Sequence, residues 1–91
     1  MDEAQIELLS FVLASKWRVK LITLLYNNIY TPSLIANRLK IPIYKVSRLL
    51  AELRDHGLAE CINPTAKKGR MYKLTDRGED IVKILNKIVK E

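Results

Sequence analysis

Apolar residues recur every three or four positions through most of the chain, which is the spacing of helices that bury one face. The pattern predicts five helices. The break at Ser15 is either the start of a second helix or only a bend within the first. The predicted helices cover residues 3–14, 16–26, 32–40, 43–56 and 76–90.

Short signals mark the boundaries of the middle helices. Thr31 and Pro32 favour a helix start, because threonine can cap exposed amides and proline loses no hydrogen bond at the first helical position. Pro42 predicts a break, since the residue before a proline is pushed out of helical backbone. Gly57 suits a C-terminal cap. Two helices therefore flank a short turn.

The period changes to that of strands after Gly57. Residues 58–62 and 70–75 are predicted strands, joined by a polar and positive tip at residues 63–69. The fold class is therefore mainly α with a small β-hairpin, in the order α-α-α-α-β-β-α. We expect one domain over residues 1–91, because so short a chain leaves room for a single core.

The charge of the 91-residue chain is concentrated in its middle. The net charge is +6, and residues 31–73 hold nine basic residues against three acidic ones, whereas both ends are neutral. Such an excess is typical of a surface that binds a polyanion. On charge alone, a basic face kept for solubility explains it equally well.

The spacing of residues over the middle of the chain is similar to that of a known family. Residues 34–41, 46–50 and 57–58 resemble the helix-turn-helix of ArsR-type and MarR-type regulators. Residues 69–78 resemble the second wing strand and the closing helix of these proteins, and residues 18–25 resemble the ArsR-type helix before the motif. The resemblance implies a winged helix-turn-helix fold and DNA binding.

Candidate DNA-binding residues lie on three predicted elements. A recognition helix reads base edges in the major groove with polar residues near its start, while cations on a wing contact phosphates or the minor groove. The start of the preceding helix can hold a phosphate. The candidates are Thr31, Ser33, Tyr44, Lys45, Ser47, Arg48, Lys67, Lys68 and Arg70.

Several of these assignments have an ordinary alternative. Arg48 can pair with Glu52 one turn away, and Tyr44 can belong to the core. Thr31 can act only as a helix cap, and the wing cations can lie on a solvated turn.

Few residues are available for other chemistry. Cys61 and His56 are the only cysteine and histidine, which argues against a metal site or an internal disulfide. No catalytic set or phosphate-binding loop is present, so we expect neither an enzyme nor a cofactor. The acidic start and the lack of a long apolar run predict a cytoplasmic, nucleoid-associated protein without a membrane partner.

The terminal helices, at residues 3–14 and 76–90, carry more apolar surface than a helix-turn-helix needs to cover. We expect them to form a homodimer, although they can instead complete the core of a monomer. The predicted interface residues are Ile6, Leu9, Leu13, Ile81, Leu85 and Ile88.

These features predict a sequence-specific regulator that binds double-stranded DNA, most simply a dimeric repressor that reads an inverted repeat. One alternative is a winged helix that mediates protein contacts in a transcription or replication assembly. Another is binding to RNA or to DNA without sequence preference.

Overall fold

The computed structural model describes residues 1–89, except for the side chain of Val89. It contains five helices and a two-stranded antiparallel hairpin in the predicted order. The elements are α1 (Glu3–Leu13), α2 (Lys16–Leu25), α3 (Pro32–Leu39), α4 (Ile43–Asp55), β1 (Ala59–Cys61), β2 (Tyr72–Leu74) and α5 (Asp76–Val89). The predicted end of the last helix, residue 90, lies outside the described residues.

Local capping explains where several helices begin. Asp2 accepts a hydrogen bond from the Gln5 amide, while the Gln5 side chain accepts one from the Asp2 amide, which completes a capping box. Ser15 has extended backbone, and its hydroxyl accepts a hydrogen bond from the Arg18 amide. The break at Ser15 is therefore a true helix start rather than a bend. Thr31 caps α3 in the predicted way.

The turn between α3 and α4 depends on an unusual backbone conformation. Lys40 ends α3 in the left-handed region, at φ 58° and ψ 46°, which a residue with a Cβ adopts at some cost. Pro42 then provides the extended residue before α4. The sequence predicts the break but not the conformation of Lys40.

One cluster of buried apolar side chains joins all five helices to the hairpin. Its centre is formed by residues that have no exposed surface: Val12, Leu21, Ile22, Leu25, Ile35, Val46, Leu53, Leu58 and Ile81. Burial of such side chains is the main source of stability in a domain of this size.

The hairpin is shorter than predicted. Ala59 pairs with Leu74 and Cys61 pairs with Tyr72. The sheet also has a pairing that the sequence does not predict, because Tyr30 and Tyr72 exchange two backbone hydrogen bonds of 3.1 and 2.9 Å. Tyr30, which precedes the N-cap Thr31 of α3, is thereby tied to β2.

The terminal helices pack against each other within the chain. Ile81 is fully buried and Leu85 is only 5% exposed within the chain, so both side chains belong to the core and offer almost no surface to a second copy. They lie on the face of α5 that covers the core. Ile6, Leu13 and Ile88 remain about half exposed, and Leu9 is partly buried. No helix in the described part of the chain is long and apolar enough to cross a membrane.

Candidate nucleic-acid interface

The start of α3, the first two turns of α4 and the wing, residues 62–71, surround an open groove of about 390 Å³. Five residues that the sequence predicts to bind DNA line this groove: Thr31, Ser33, Ser47, Lys67 and Arg70. The fold therefore brings together candidates that lie up to 39 positions apart in the chain. Tyr44, Lys45, Arg48 and Lys68 are not part of its lining.

At the start of α3, the Thr31 hydroxyl accepts a hydrogen bond of 3.3 Å from the Leu34 amide. The capping interpretation of Thr31 is therefore correct, and the hydroxyl hydrogen remains available to a ligand. Ser33 is exposed beside it. Both hydroxyls lie at the positive end of the α3 dipole, where an anion is favoured.

On α4 the side chains of Tyr44, Ser47 and Arg48 point outwards. Tyr44 is 70% exposed, so it is not a core residue. The apolar stripe that begins at Val46 accounts for this arrangement, because it turns the opposite face of the helix to solvent.

Arg48 does not pair with Glu52. The Glu52 carboxylate instead accepts hydrogen bonds of 3.3 and 3.2 Å from Nε and Nη2 of Arg18 on α2. Arg18 Nη1 also donates to the Phe11 carbonyl, so this one guanidinium links α1, α2 and α4.

The Arg18–Glu52 contact is the one ion pair within 4.0 Å among residues 1–89. The cations of α4 and the wing consequently have no carboxylate partner there. Their charge is available to an external anion, and a carboxylate-free basic surface attracts a polyanion over several ångströms.

The Asn63 side chain organises the wing. Its Oδ1 accepts a hydrogen bond of 2.7 Å from the Met71 amide, and its Nδ2 donates to the Gly69 carbonyl over 3.2 Å. Gly69 has φ 67°, a conformation that glycine adopts without strain. Arg70 Nε donates to the Ala66 carbonyl at 2.9 Å, which leaves the other guanidinium nitrogens free to bind. Lys67 is exposed at the tip.

Ile43 is a groove residue that the sequence analysis did not select. It is 52% exposed at the start of α4 and faces the wing. The one indication in the sequence that Ile43 lines the groove is that it precedes the apolar stripe of α4, which begins at Val46. An apolar side chain at this point suits contact with the methyl group of thymine.

Lys45 lies at the edge of the candidate nucleic-acid interface. It is partly buried, and its Nζ lies 4.8 Å from the ring centroid of Trp17 on α2. Lys45 therefore points towards α2 and away from the groove, which no periodicity within α4 could indicate.

His56 and Cys61, the one histidine and the one cysteine, each contact groups within the chain. His56 stacks on Phe11 with ring centroids 3.6 Å apart, and its Nδ1 donates to the Glu52 carbonyl at the end of α4. The Cys61 thiol donates to Asn63 Oδ1 in the wing. No group of three His, Cys, Asp or Glu side chains suited to a metal ion occurs in the part of the chain that the structure describes.

No family model and no curated protein matches the sequence. Solved structures do match the fold. HlyU from Vibrio cholerae N16961 superposes with a TM-score of 0.80 at 20% identity, over 100% of both chains. The transcriptional regulator HlyU from Vibrio vulnificus CMCP6 gives 0.77 at 21% identity, over 93% of this chain and 88% of that one.

A third match is Lactococcus lactis ZitR in complex with DNA, with a TM-score of 0.64 at 25% identity. It covers 70% of this chain and 44% of the ZitR chain. The order of elements is that of the winged helix-turn-helix fold of these proteins. This chain thus has the winged helix-turn-helix fold of the ArsR-type regulators HlyU and ZitR, in agreement with the resemblance seen in its sequence.

Proposed function

We propose that this protein is a transcriptional regulator that binds double-stranded DNA across the groove between α3, α4 and the wing. The observation that carries the proposal is the convergence of Ser33, Ser47, Lys67 and Arg70 on that groove, whose cations pair with no carboxylate within residues 1–89. The ZitR structure with DNA supports it, since that protein shares the fold.

Sequence would be read by the exposed face of α4. Arg48 can donate two hydrogen bonds to a guanine, and Tyr44 or Ser47 can reach a base edge or a phosphate. Lys67, Lys68 and the free nitrogens of Arg70 would hold the backbone or enter the minor groove. Contacts on both sides of the groove fix the orientation of the duplex.

We further propose that two copies associate through α1 and α5 and occupy an inverted repeat. Support comes from Ile6, Leu13 and Ile88, which are about half exposed on these two helices. A two-fold axis would place the recognition helices in successive major grooves, about 34 Å apart. Repression would follow from occupation of a promoter.

The test is binding of a fluorescent random-sequence duplex, measured by anisotropy over a series of salt concentrations. Affinity should fall steeply with salt, because phosphate contacts release counterions. The double variant Lys67→Ala/Lys68→Ala should flatten the logarithmic slope by up to about two units per protomer. Lys83→Ala, which removes an exposed lysine from α5, is the control and should leave the slope unchanged.

Specific reading is tested by selecting a preferred duplex from the pool. Arg48→Ala should reduce the preference for that duplex by about 1–3 kcal/mol and leave binding to random sequence nearly intact. An equal loss for all sequences would contradict base reading by Arg48.

A protein partner is a second candidate occupant of this face, because Ile43 and Tyr44 expose apolar surface at the start of α4. Absence of duplex binding at low salt would remove the DNA proposal and favour this one.

A further inference from the structure

Trp17, the one tryptophan of the chain, is surrounded by lysines from two helices. The Nζ atoms of Lys16, Lys20 and Lys45 lie 5.3, 4.9 and 4.8 Å from the centroid of the Trp17 ring. Lys16 and Lys20 are exposed on α2, while Lys45 reaches across from α4. We refer to these four residues as the Trp17 cluster.

Three ammonium groups around one ring repel one another. Their distances from a common centroid place every pair within about 11 Å, close to the Debye length at 0.1 M salt. No carboxylate lies within 4.0 Å of any of them among residues 1–89. The ring attracts the cations but carries no net charge, so an external anion would be needed to neutralise the cluster.

The summed charge of the sequence does not show that α2 carries exposed positive charge. Lys16, Arg18 and Lys20 are formally balanced by three acidic residues near the N-terminus, so residues 1–30 are neutral. In the fold, however, Arg18 turns inwards to Glu52, whereas the two lysines stay on the surface beside Trp17. The exposed charge of α2 itself is therefore positive.

The Trp17 cluster is continuous with the recognition helix. Lys45 and Arg48 are three residues apart and are neighbours on the surface of α4. A duplex that contacts Tyr44 and Arg48 would pass over Lys45 and meet α2 on the side away from the wing.

We propose that the Trp17 cluster is a second phosphate-binding surface, which extends the DNA contact from α4 onto α2. This inference rests on the proposed function and adds Lys16, Trp17 and Lys20 to the interface. Phosphates of one duplex would then be held both at the wing and on the opposite side of the recognition helix.

Trp17 reports on this contact directly, because all tryptophan fluorescence comes from this cluster. Iodide, an anion, should quench Trp17 efficiently in the free protein. Addition of a saturating duplex should lower the iodide quenching constant at least about twofold, since phosphates exclude anions from the lysines. Neutral acrylamide, used in parallel, distinguishes electrostatic exclusion of iodide from steric covering of Trp17, because only steric covering would lower quenching by acrylamide.

Substitution tests the same contact by affinity. Lys16→Gln/Lys20→Gln should weaken duplex binding about 5–50-fold at 0.1 M salt and reduce the salt slope by about one to two units per protomer. Lys83→Gln should have neither effect and serves as the control for loss of a surface lysine.

The outcomes separate the two proposals. If wild-type protein binds the duplex but Trp17 quenching stays the same and the double variant binds normally, the second surface is refuted and the proposed function stands. If no duplex binds at low salt, the proposed function fails and this inference fails with it. The quenching experiment uses unaltered protein, so it remains decisive even if the double variant does not fold.

Discussion

Gly78 shows how closely the elements approach one another at a single residue. It lies in the first turn of α5, where a Cβ would overlap the backbone carbonyl oxygen of Leu58 and lie 3.2 Å from Leu74 Cβ. The Thr75 hydroxyl tightens the same junction by donating to the Gly57 carbonyl and accepting from the Gly78 amide. Glycine at this position therefore lets the hairpin and α5 approach this closely, and any side chain would force the backbone to shift.

Gly78→Ala should destabilise the protein by about 1–3 kcal/mol, because the methyl group forces a backbone shift that better helix propensity does not offset. Urea unfolding followed by circular dichroism measures the change. Lys83→Ala, an exposed site on the same helix, should change stability by less than about 0.5 kcal/mol. Unchanged stability of Gly78→Ala would contradict the close approach.

For single residues, the sequence predicts whether a side chain is exposed better than it predicts which neighbour that side chain contacts. The apolar stripe of α4 is enough to place Tyr44 and Arg48 on its outer face, and both are there. Lys45 is different, because its contact with Trp17 depends on how α2 packs on α4. The partner of Glu52 was missed for a related reason: Arg18 is 34 positions away, and only packing reveals it.

Among the elements, the wing has the least apolar support and relies most on side-chain hydrogen bonds. Asn63 binds both the Met71 amide and the Gly69 carbonyl, which closes the loop between the strands. The wing cations are therefore presented by a loop whose shape depends on one amide side chain.

Asn63→Ala should loosen the wing without unfolding the core. We expect a loss of about 1 kcal/mol or less in global stability, because the bonds are near the surface. The Met71 amide should exchange with solvent at least about tenfold faster, and duplex affinity should fall. Hydrogen exchange by NMR checks the first effect, and Thr65→Ala in the same loop is the control. Unchanged exchange at Met71 would contradict the role of Asn63.

The helices were predictable from periodicity and caps because these signals are local. The strands were predicted too long, because their end residues have strand-like composition but only single main-chain hydrogen bonds, from Ile62 to Met71 and from Thr75 to Leu58, outside the regular ladder. The Tyr30–Tyr72 bridge was not predictable, because it joins residues 42 positions apart through backbone atoms that carry no sequence signal.

For the whole molecule, the proposed dimer must form on surface that the core does not already use. Burial of Ile81 and Leu85 shows that α5 already contributes its inner face to the core. The proposed dimer therefore depends on the half-exposed Ile6, Leu13 and Ile88 of α1 and α5.

Ile88→Glu should convert a dimer into a monomer, because it places a charge in an apolar contact. Sedimentation at tens of micromolar measures the mass, and duplex affinity should fall in parallel. Ile29→Glu is a matched control: both isoleucines are 51% exposed, but Ile29 lies between α2 and α3. A wild-type monomer at this concentration would remove the dimer proposal.

The Tyr30–Tyr72 bridge has a mechanical consequence for this arrangement. Two main-chain hydrogen bonds hold the segment leading into α3 against β2, so the opposing walls of the groove are coupled and cannot spread independently. A duplex that does not match the shape of the groove would then have to deform, because the protein would not. In the proposed complex, easily deformed DNA would therefore bind best, and steps that bend or unstack easily would be favoured at positions that no side chain touches.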